Sequence, residues 1–159
     1  MVRIRSKMNR CTCRTIDAPI VDIEILEGGF VPMYARDGDA GADLHASEGG
    51  HVPAGGHVLM KTGIKIAIPY GYVGLVHPRS GLAMKQGVTV LNAPGTIDSG
   101  YRGEVGVLLH NTSPVDVYVA PGDRIAQLVV QKVETVEFNK VNALTESDRG
   151  EGGFGSTGV

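Results

Sequence analysis

The feature that most constrains this chain is a succession of short apolar runs at a period of two, each closed by a turn rich in glycine or proline. The runs are "IVDIEIL" (Ile20 to Leu26), "HVLMKTGIKIAI" (His57 to Ile68), "YVGLVH" (Tyr72 to His77), "VTVL" (Val88 to Leu91), "EVGVLLH" (Glu104 to His110), "VDVYV" (Val115 to Val119) and "RIAQLVVQKVETVEF" (Arg124 to Phe138). Alternation of this kind buries one face of a strand, and β-branched side chains suit a pleated surface. The segments "RDGDAG", "SEGGHVPAGG", "PYG", "NTSP" and "APGD" separate the runs as turn formers. Many short strands at this spacing, with almost no helical period, predict an all-β sandwich or jelly roll. One short helix is expected over "SGLAMKQG", capped by Ser80 and stopped at Gly87.

A chain of 159 residues fits one domain that can bury a core without disulfide staples. Its charged content of 20% and hydrophobic content of 42% exclude a wholly disordered chain. No apolar run approaches the roughly 18 residues of a membrane span. A net charge of -2 gives no general pull toward nucleic acid or anionic lipid, so neither is an expected partner. Cys11 and Cys13 are too close for an ordinary disulfide and too few for a zinc site, which predicts reduced thiols and a cytoplasmic setting. Residues 1–19 open with Arg3, Arg5, Lys7, Arg10 and Arg14 and form a basic extension expected to be disordered. It reads either as an Arg-rich transit peptide or as the product of an early start codon, with Met8 as the alternative start. Residues 20–138 form the β domain. From Asn139 the alternation lapses into polar and then glycine-rich sequence, so 139–159 reads as a flexible arm.

Four stretches of the domain carry chemistry, each with a plainer alternative. In "NAPGTIDSGYRGE" (Asn92 to Glu104), glycines let backbone groups approach a flat ligand, and Asp98, beside Ile97, reads as a buried acid. The alternative is a long surface turn in which Asp98 is a turn former. In "HPRSGLAMKQG", Arg79 ahead of Ser80 and Gly81 places a cation at a helix N-terminus, an anion site or merely an exposed Arg beside a cap. "RDGDAGADLHA" holds Asp37, Asp39 and Asp43, of which Asp43 between Ala42 and Leu44 looks directed. An acid near a phosphate site suits Mg²⁺ held through water, whereas an acidic turn needs no ligand. In "GDRIAQLVV", Gln127 either faces inward toward a partner or outward in the alternation.

Taken in order, "AGADL", "PRSGLA", "NAPGTIDSGYRGEV", "GDRIAQLVV" and the C-terminal "RGEGGFGSTG" resemble the five motifs of the trimeric dUTPase family. The resemblance spans about Ile20 to Gly158, and "DGDAG" and "GLVHPRSGLA" look like the actinobacterial and phage members. It implies a jelly-roll homotrimer with three sites at subunit interfaces, hydrolysing dUTP to dUMP and pyrophosphate with Mg²⁺. Such an enzyme keeps uracil out of DNA and supplies dUMP for thymidylate synthesis. By resemblance, Asp98 activates the attacking water, and Asp43 holds the Mg²⁺ through water. Arg79, Ser80, Gly81 and Gln127 match phosphate contacts. Asn92, Gly95, Thr96 and Ile97 match the hairpin around uracil, and Tyr101 matches the ring that packs on deoxyribose. Gly106 departs from the family in offering only backbone. From the arm, Arg149 matches a charge clamp and Phe154 a stacking ring, while Gly155, Ser156 and Thr157 match a phosphate wrap. The resemblance leaves two rivals. One is a dCTP deaminase or bifunctional deaminase-dUTPase on the same scaffold, and the other is a dUTP-gated binding protein with a regulatory partner.

Overall fold

A computed structural model describes residues 18–153. Ten strands and one helix follow one another: β1 (Asp22–Ile25), β2 (Ala42–His45), β3 (Gly50–Val52), β4 (His57–Ala67), β5 (Tyr72–His77), α1 (Ser80–Gln86), β6 (Val88–Val90), β7 (Gly95–Ile97), β8 (Glu104–Asn111), β9 (Val117–Val119) and β10 (Arg124–Lys132). One four-stranded sheet runs β1-β4-β8-β6, a second runs β2-β10-β5-β7, and β3 pairs with β9. Every pairing is antiparallel, and the result is the expected jelly-roll sandwich.

The core lies between the two sheets because the alternation delivers it there. In β8, Val105, Val107 and Leu109 are buried while Gly106, Leu108 and His110 face outward. Leu44, Ile64, Leu109 and Ile125 are almost fully buried, each contributing roughly 1.5–3 kcal/mol. Asn111 is buried too, but its amide donates to the carbonyls of Val52 (3.0 Å) and Val115 (2.8 Å) and accepts from Ser113 N (2.9 Å). It therefore ties β3 to the turn after β8 without an orphaned polar group.

Five elements depart from the sequence reading. Strands β2, β3 and β7 lie inside segments read as turns or motifs; each spans only three or four residues, too few for a period to show. Strand β10 stops at Lys132 instead of running to Phe138, because Lys132 is opposite Tyr72, the first residue of β5. After a last bond from Val133 N to Gly71 O (2.9 Å), no partner strand continues among the described residues. Ser80 begins α1 but does not cap it: Arg79 takes the N-cap position, with no side-chain bond to the helix. The expected stop holds, for Gly87 adopts φ +68° and returns its N–H to Ala83 O at 3.0 Å. Among the described residues no helix is long and apolar enough to cross a membrane.

Candidate functional site

Strand β7 belongs to one sheet and β8 to the other, so residues 98–103 bridge the open end of the sandwich. Under this bridge lies a cleft of about 160 Å³, lined by Asn92, Gly95, Thr96, Ile97, Tyr101, Glu104 and Gly106 among others. The volume is well below the roughly 300–1,000 Å³ of a drug-sized pocket and suits one small ring. Asn92 lies alongside Gly95, where an added Cβ would meet its Nδ2 at 3.4 Å. Tyr101 folds back over Gly103, and its hydroxyl donates to Glu104 O at 2.9 Å. Arg102 closes the bridge by donating to Ser99 O (2.7 Å) and Tyr101 O (2.6 Å). The structure thus gathers Asn92, Gly95, Thr96, Ile97, Tyr101 and Gly106 around one cavity.

Asp98 differs from the buried acid expected of it. Ile97 faces the core at 7% exposure, and Asp98, just past the end of β7, is exposed. Its carbonyl accepts from Tyr101 N (3.1 Å), and its side chain belongs to an exposed residue at the start of the bridge.

A second cluster forms around Asp43, which is only 6% exposed on β2. Its Oδ1 accepts from Arg79 Nε at 2.9 Å and its Oδ2 from Arg124 Nη1 at 3.3 Å. Arg79 is therefore not the exposed Arg of the plainer alternative; it spans from the start of α1 to β2 and also reaches Arg124 O (3.4 Å). Gln127, half-buried in β10, is opposite Asp43 on one side and His77 on the other, with its side chain against Gly41. Neither outcome foreseen for it describes it fully, since it sits at the edge of the ion cluster. Ser80 and Gly81 are exposed beside Arg79, and the space next to Gly81 is open. His45, two residues on from Asp43, has its pKa lowered by burial, with Arg124 and Arg79 adding to the shift and Asp43 opposing it. Its ring lies 5.3 Å from that of Phe30, and its Nδ1 is buried without a hydrogen-bond partner among the described residues.

The cluster tests whether a divalent cation suits the site. Among the described residues no three His, Cys, Asp or Glu side chains converge, so they form no cation cage of their own. Asp43 keeps unused lone pairs, but two guanidinium groups leave its surroundings net positive. That charge balance suits a polyphosphate, and a hydrated Mg²⁺ arriving already chelated by one.

Arg124 and Glu104 were not singled out from the sequence, although both lie inside quoted motifs. A charged residue opening an apolar strand was the available signal for Arg124. Arg149 lies in the arm, exposed, with its Nε donating to Gly152 O at 2.9 Å. Phe154, Gly155, Ser156 and Thr157 lie outside the described residues.

With this geometry in view, comparisons with known proteins agree on one family. The dUTPase family model matches residues 29–158. The deoxyuridine 5'-triphosphate nucleotidohydrolase of Thermobifida fusca is 55% identical over 129 residues, covering 80% of this chain and 72% of its own length. That of Corynebacterium diphtheriae is 52% identical, covering 81% of this chain and 86% of its own. Among solved structures, the Staphylococcus bacteriophage 80alpha dUTPase with dUpNHpp superposes with a TM-score of 0.83 at 28% identity, covering 89% of this chain and all of that one. A point mutant of the dUTPase from phage phi11 of S. aureus, which coordinates a structural Mg(II) ion, gives a TM-score of 0.73 at 25% identity, covering 79% of this chain and 98% of its own.

Proposed function

The chain belongs to the dUTPase family and hydrolyses dUTP, and we propose that it does so as a homotrimer in which cleft, ion cluster and arm come from neighbouring subunits. Uracil enters the cleft beneath the 98–103 bridge. There Asn92 and backbone groups of the hairpin match the O4 acceptor and N3–H donor, a pattern that cytosine reverses. A 5-methyl group strikes the cleft wall. Tyr101 packs on the deoxyribose and leaves no room for a ribose 2′-OH. Unpaired buried polar groups make the rejection of cytosine steep, on the order of 10⁴.

Attack at the α-phosphorus needs an activated water held in line and neutralised phosphate charge. Asp98, exposed at the start of the bridge, orients that water and takes its proton. Arg79, Ser80, Gly81 and Gln127 hold the phosphates, with Arg124 adding charge beside Asp43. Asp43 would hold, through water, a Mg²⁺ arriving with the triphosphate, and that ion would supply charge stabilisation to the pyrophosphate leaving group. Residues 139–159 act as a lid: Arg149 clamps charge, Phe154 stacks on uracil, and Gly155, Ser156 and Thr157 wrap the phosphates. Residues 20–138 supply the remaining contacts in a cytoplasmic setting.

The observation that carries this reading is a base-sized cleft under a polar bridge in a chain matched to the family over residues 29–158. Pyrophosphate release measured across the four common dNTPs, dUTP and UTP, with and without Mg²⁺, tests it. Turnover of dUTP alone is expected, together with a particle about three times the 16.7 kDa chain mass by light scattering. Ammonia release from dCTP, or full activity in a monomer, overturns it.

A further inference from the structure

Between Lys61 and Lys65 the β4–β8 ladder slips: Lys61 is opposite Gly106, yet Lys65 is opposite Glu104. Three residues of β4 therefore face Val105 alone, and their backbone groups lose the partners that a regular ladder provides. Gly63, at φ +66°, sits at the centre of this bulge. An added Cβ there would lie 2.6 Å from Gly29 Cα, so only glycine lets the 26–29 turn pack against the bulge. The carbonyl of Gly63 accepts from Leu26 N at 2.8 Å. Its N–H is taken by a side chain: Glu104 Oε1 accepts it at 2.9 Å in a part-buried setting. Thr62 adds a hydroxyl bond to Val105 O.

Glu104 thus has two separate bonds at the wall of the cleft. Its carboxylate is fastened to the β4 bulge, while its carbonyl oxygen receives the Tyr101 hydroxyl. We infer that Glu104 is a positioning residue for sugar discrimination, locking the peptide on which Tyr101 rests so that the ring cannot retreat from the cleft. The inference rests on the sugar-facing role proposed for Tyr101. A carboxylate is not required for its charge, only for an acceptor at the reach of Oε1, which a glutamine supplies equally well. Loss of the acceptor frees Gly63 N–H and lets residues 101–104 shift together. A larger sugar then fits, and dUTP is held less closely.

The experiment compares dUTP and UTP in kcat/KM for Glu104→Ala, Glu104→Gln, Tyr101→Ala and Asn111→Ala. Asn111 is buried away from the cleft, so its substitution lowers the melting temperature without touching Tyr101. Glu104→Ala is expected to cut the preference for dUTP over UTP by about tenfold, mainly through KM, with Glu104→Gln within about threefold of wild type. Asn111→Ala leaves the preference unchanged. If Tyr101→Ala shifts the preference and Glu104→Ala does not, the positioning role is wrong while the reading of Tyr101 stands. If Tyr101→Ala leaves it unchanged, the sugar-facing role falls, and this inference with it. An equal shift in Asn111→Ala and Glu104→Ala reduces Glu104 to general stability and also overturns the inference.

Discussion

Both the 92–106 hairpin and the 133–153 arm carry glycine and polar residues, with glycine denser in the hairpin, yet the fold treats them in opposite ways. Side-chain bonds fasten the hairpin at several points, through Tyr101 to Glu104, Arg102 to Ser99, and Glu104 to Gly63 across two strands. The arm leaves the sandwich after Val133, and its bonds are local, from Gly150 N to Ser147 O and from Arg149 Nε to Gly152 O. Phe138 and Leu144 lie 92% and 88% exposed along it. Glycine content therefore does not decide which region is fastened; the hairpin has bonds to a distant strand and the described arm has only local ones. On the proposed reading, the groups that choose the base are held before substrate arrives, whereas an arm acting as a lid has to be ordered during the reaction. Ordering costs about 1 kcal/mol or more per residue, which offsets much of any binding gained. The hairpin should accordingly govern selectivity and chemistry, and the arm should show in kcat.

The largest expected effect breaks the hairpin side of this contrast. Asp98→Asn keeps the shape of the bridge and removes the base, so kcat should fall by roughly 10²–10⁴. Binding of a non-hydrolysable dUTP analogue, followed by calorimetry, should stay within about threefold of wild type. Turnover within about threefold of wild type would remove Asp98 from the mechanism.

Deleting Asp148 to Val159 probes the other side. The described part of this segment, residues 148–153, is largely exposed and makes only local bonds, which contribute little stability, so the melting temperature should move by no more than about 1 °C. Turnover should fall on the order of 10²-fold, because alignment and water exclusion are lost with the lid. Full activity in the truncated enzyme would make the arm a plain terminus.

These two regions also show what a sequence can disclose. Long apolar runs announce β4, β5, β8 and all of β10, since three or more repeats of a period of two argue for a strand. The hairpin stood out as a motif, but its fastening did not, nor did the ion cluster: Glu104 and Gly63 lie 41 positions apart, and Arg79 and Asp43 lie 36 apart. No local pattern records such pairs. Asp98 looked buried because Ile97 beside it is, although neighbours in a strand face opposite ways. Strand β10 looked longer than it is because its end is set by where β5 begins, a property of the partner strand.

A third and smaller effect tests the scaffold behind the phosphate contacts. Asp43→Ala would leave Arg79 and Arg124 facing each other across an uncompensated site. Removing the anion of a wholly buried pair costs about 3–5 kcal/mol, but the Arg124 side chain is 51% exposed, and water will screen much of the repulsion. A loss of about 1–3 kcal/mol in urea unfolding is expected, together with impaired turnover. Unchanged stability would mean that the cluster exists only to meet phosphate.

The smallest effect lies in the arm, and it sharpens the contrast by separating two kinds of exposure. Within a single subunit Phe138 touches almost nothing, so Phe138→Ser should change the unfolding free energy of the β domain by no more than about 0.5 kcal/mol. A large exposed aromatic is nevertheless costly to leave in water, and Val136, Phe138, Val141 and Leu144 together give the arm an apolar character that the hairpin bridge lacks. If the arm crosses to another subunit to deliver Arg149, these side chains are its means of attachment. Phe138→Ser and Leu144→Ser should then leave the domain's stability and the cleft's affinity for a dUTP analogue unchanged, while lowering kcat by about two- to tenfold as the lid is presented less often. A matched pair of measurements decides it: urea unfolding for the domain, and steady-state turnover at saturating dUTP. If stability falls by more than about 1 kcal/mol, the arm packs on its own subunit and the division between fastened hairpin and free arm is wrong. If neither quantity moves, the apolar residues of the arm take no part in delivering the lid.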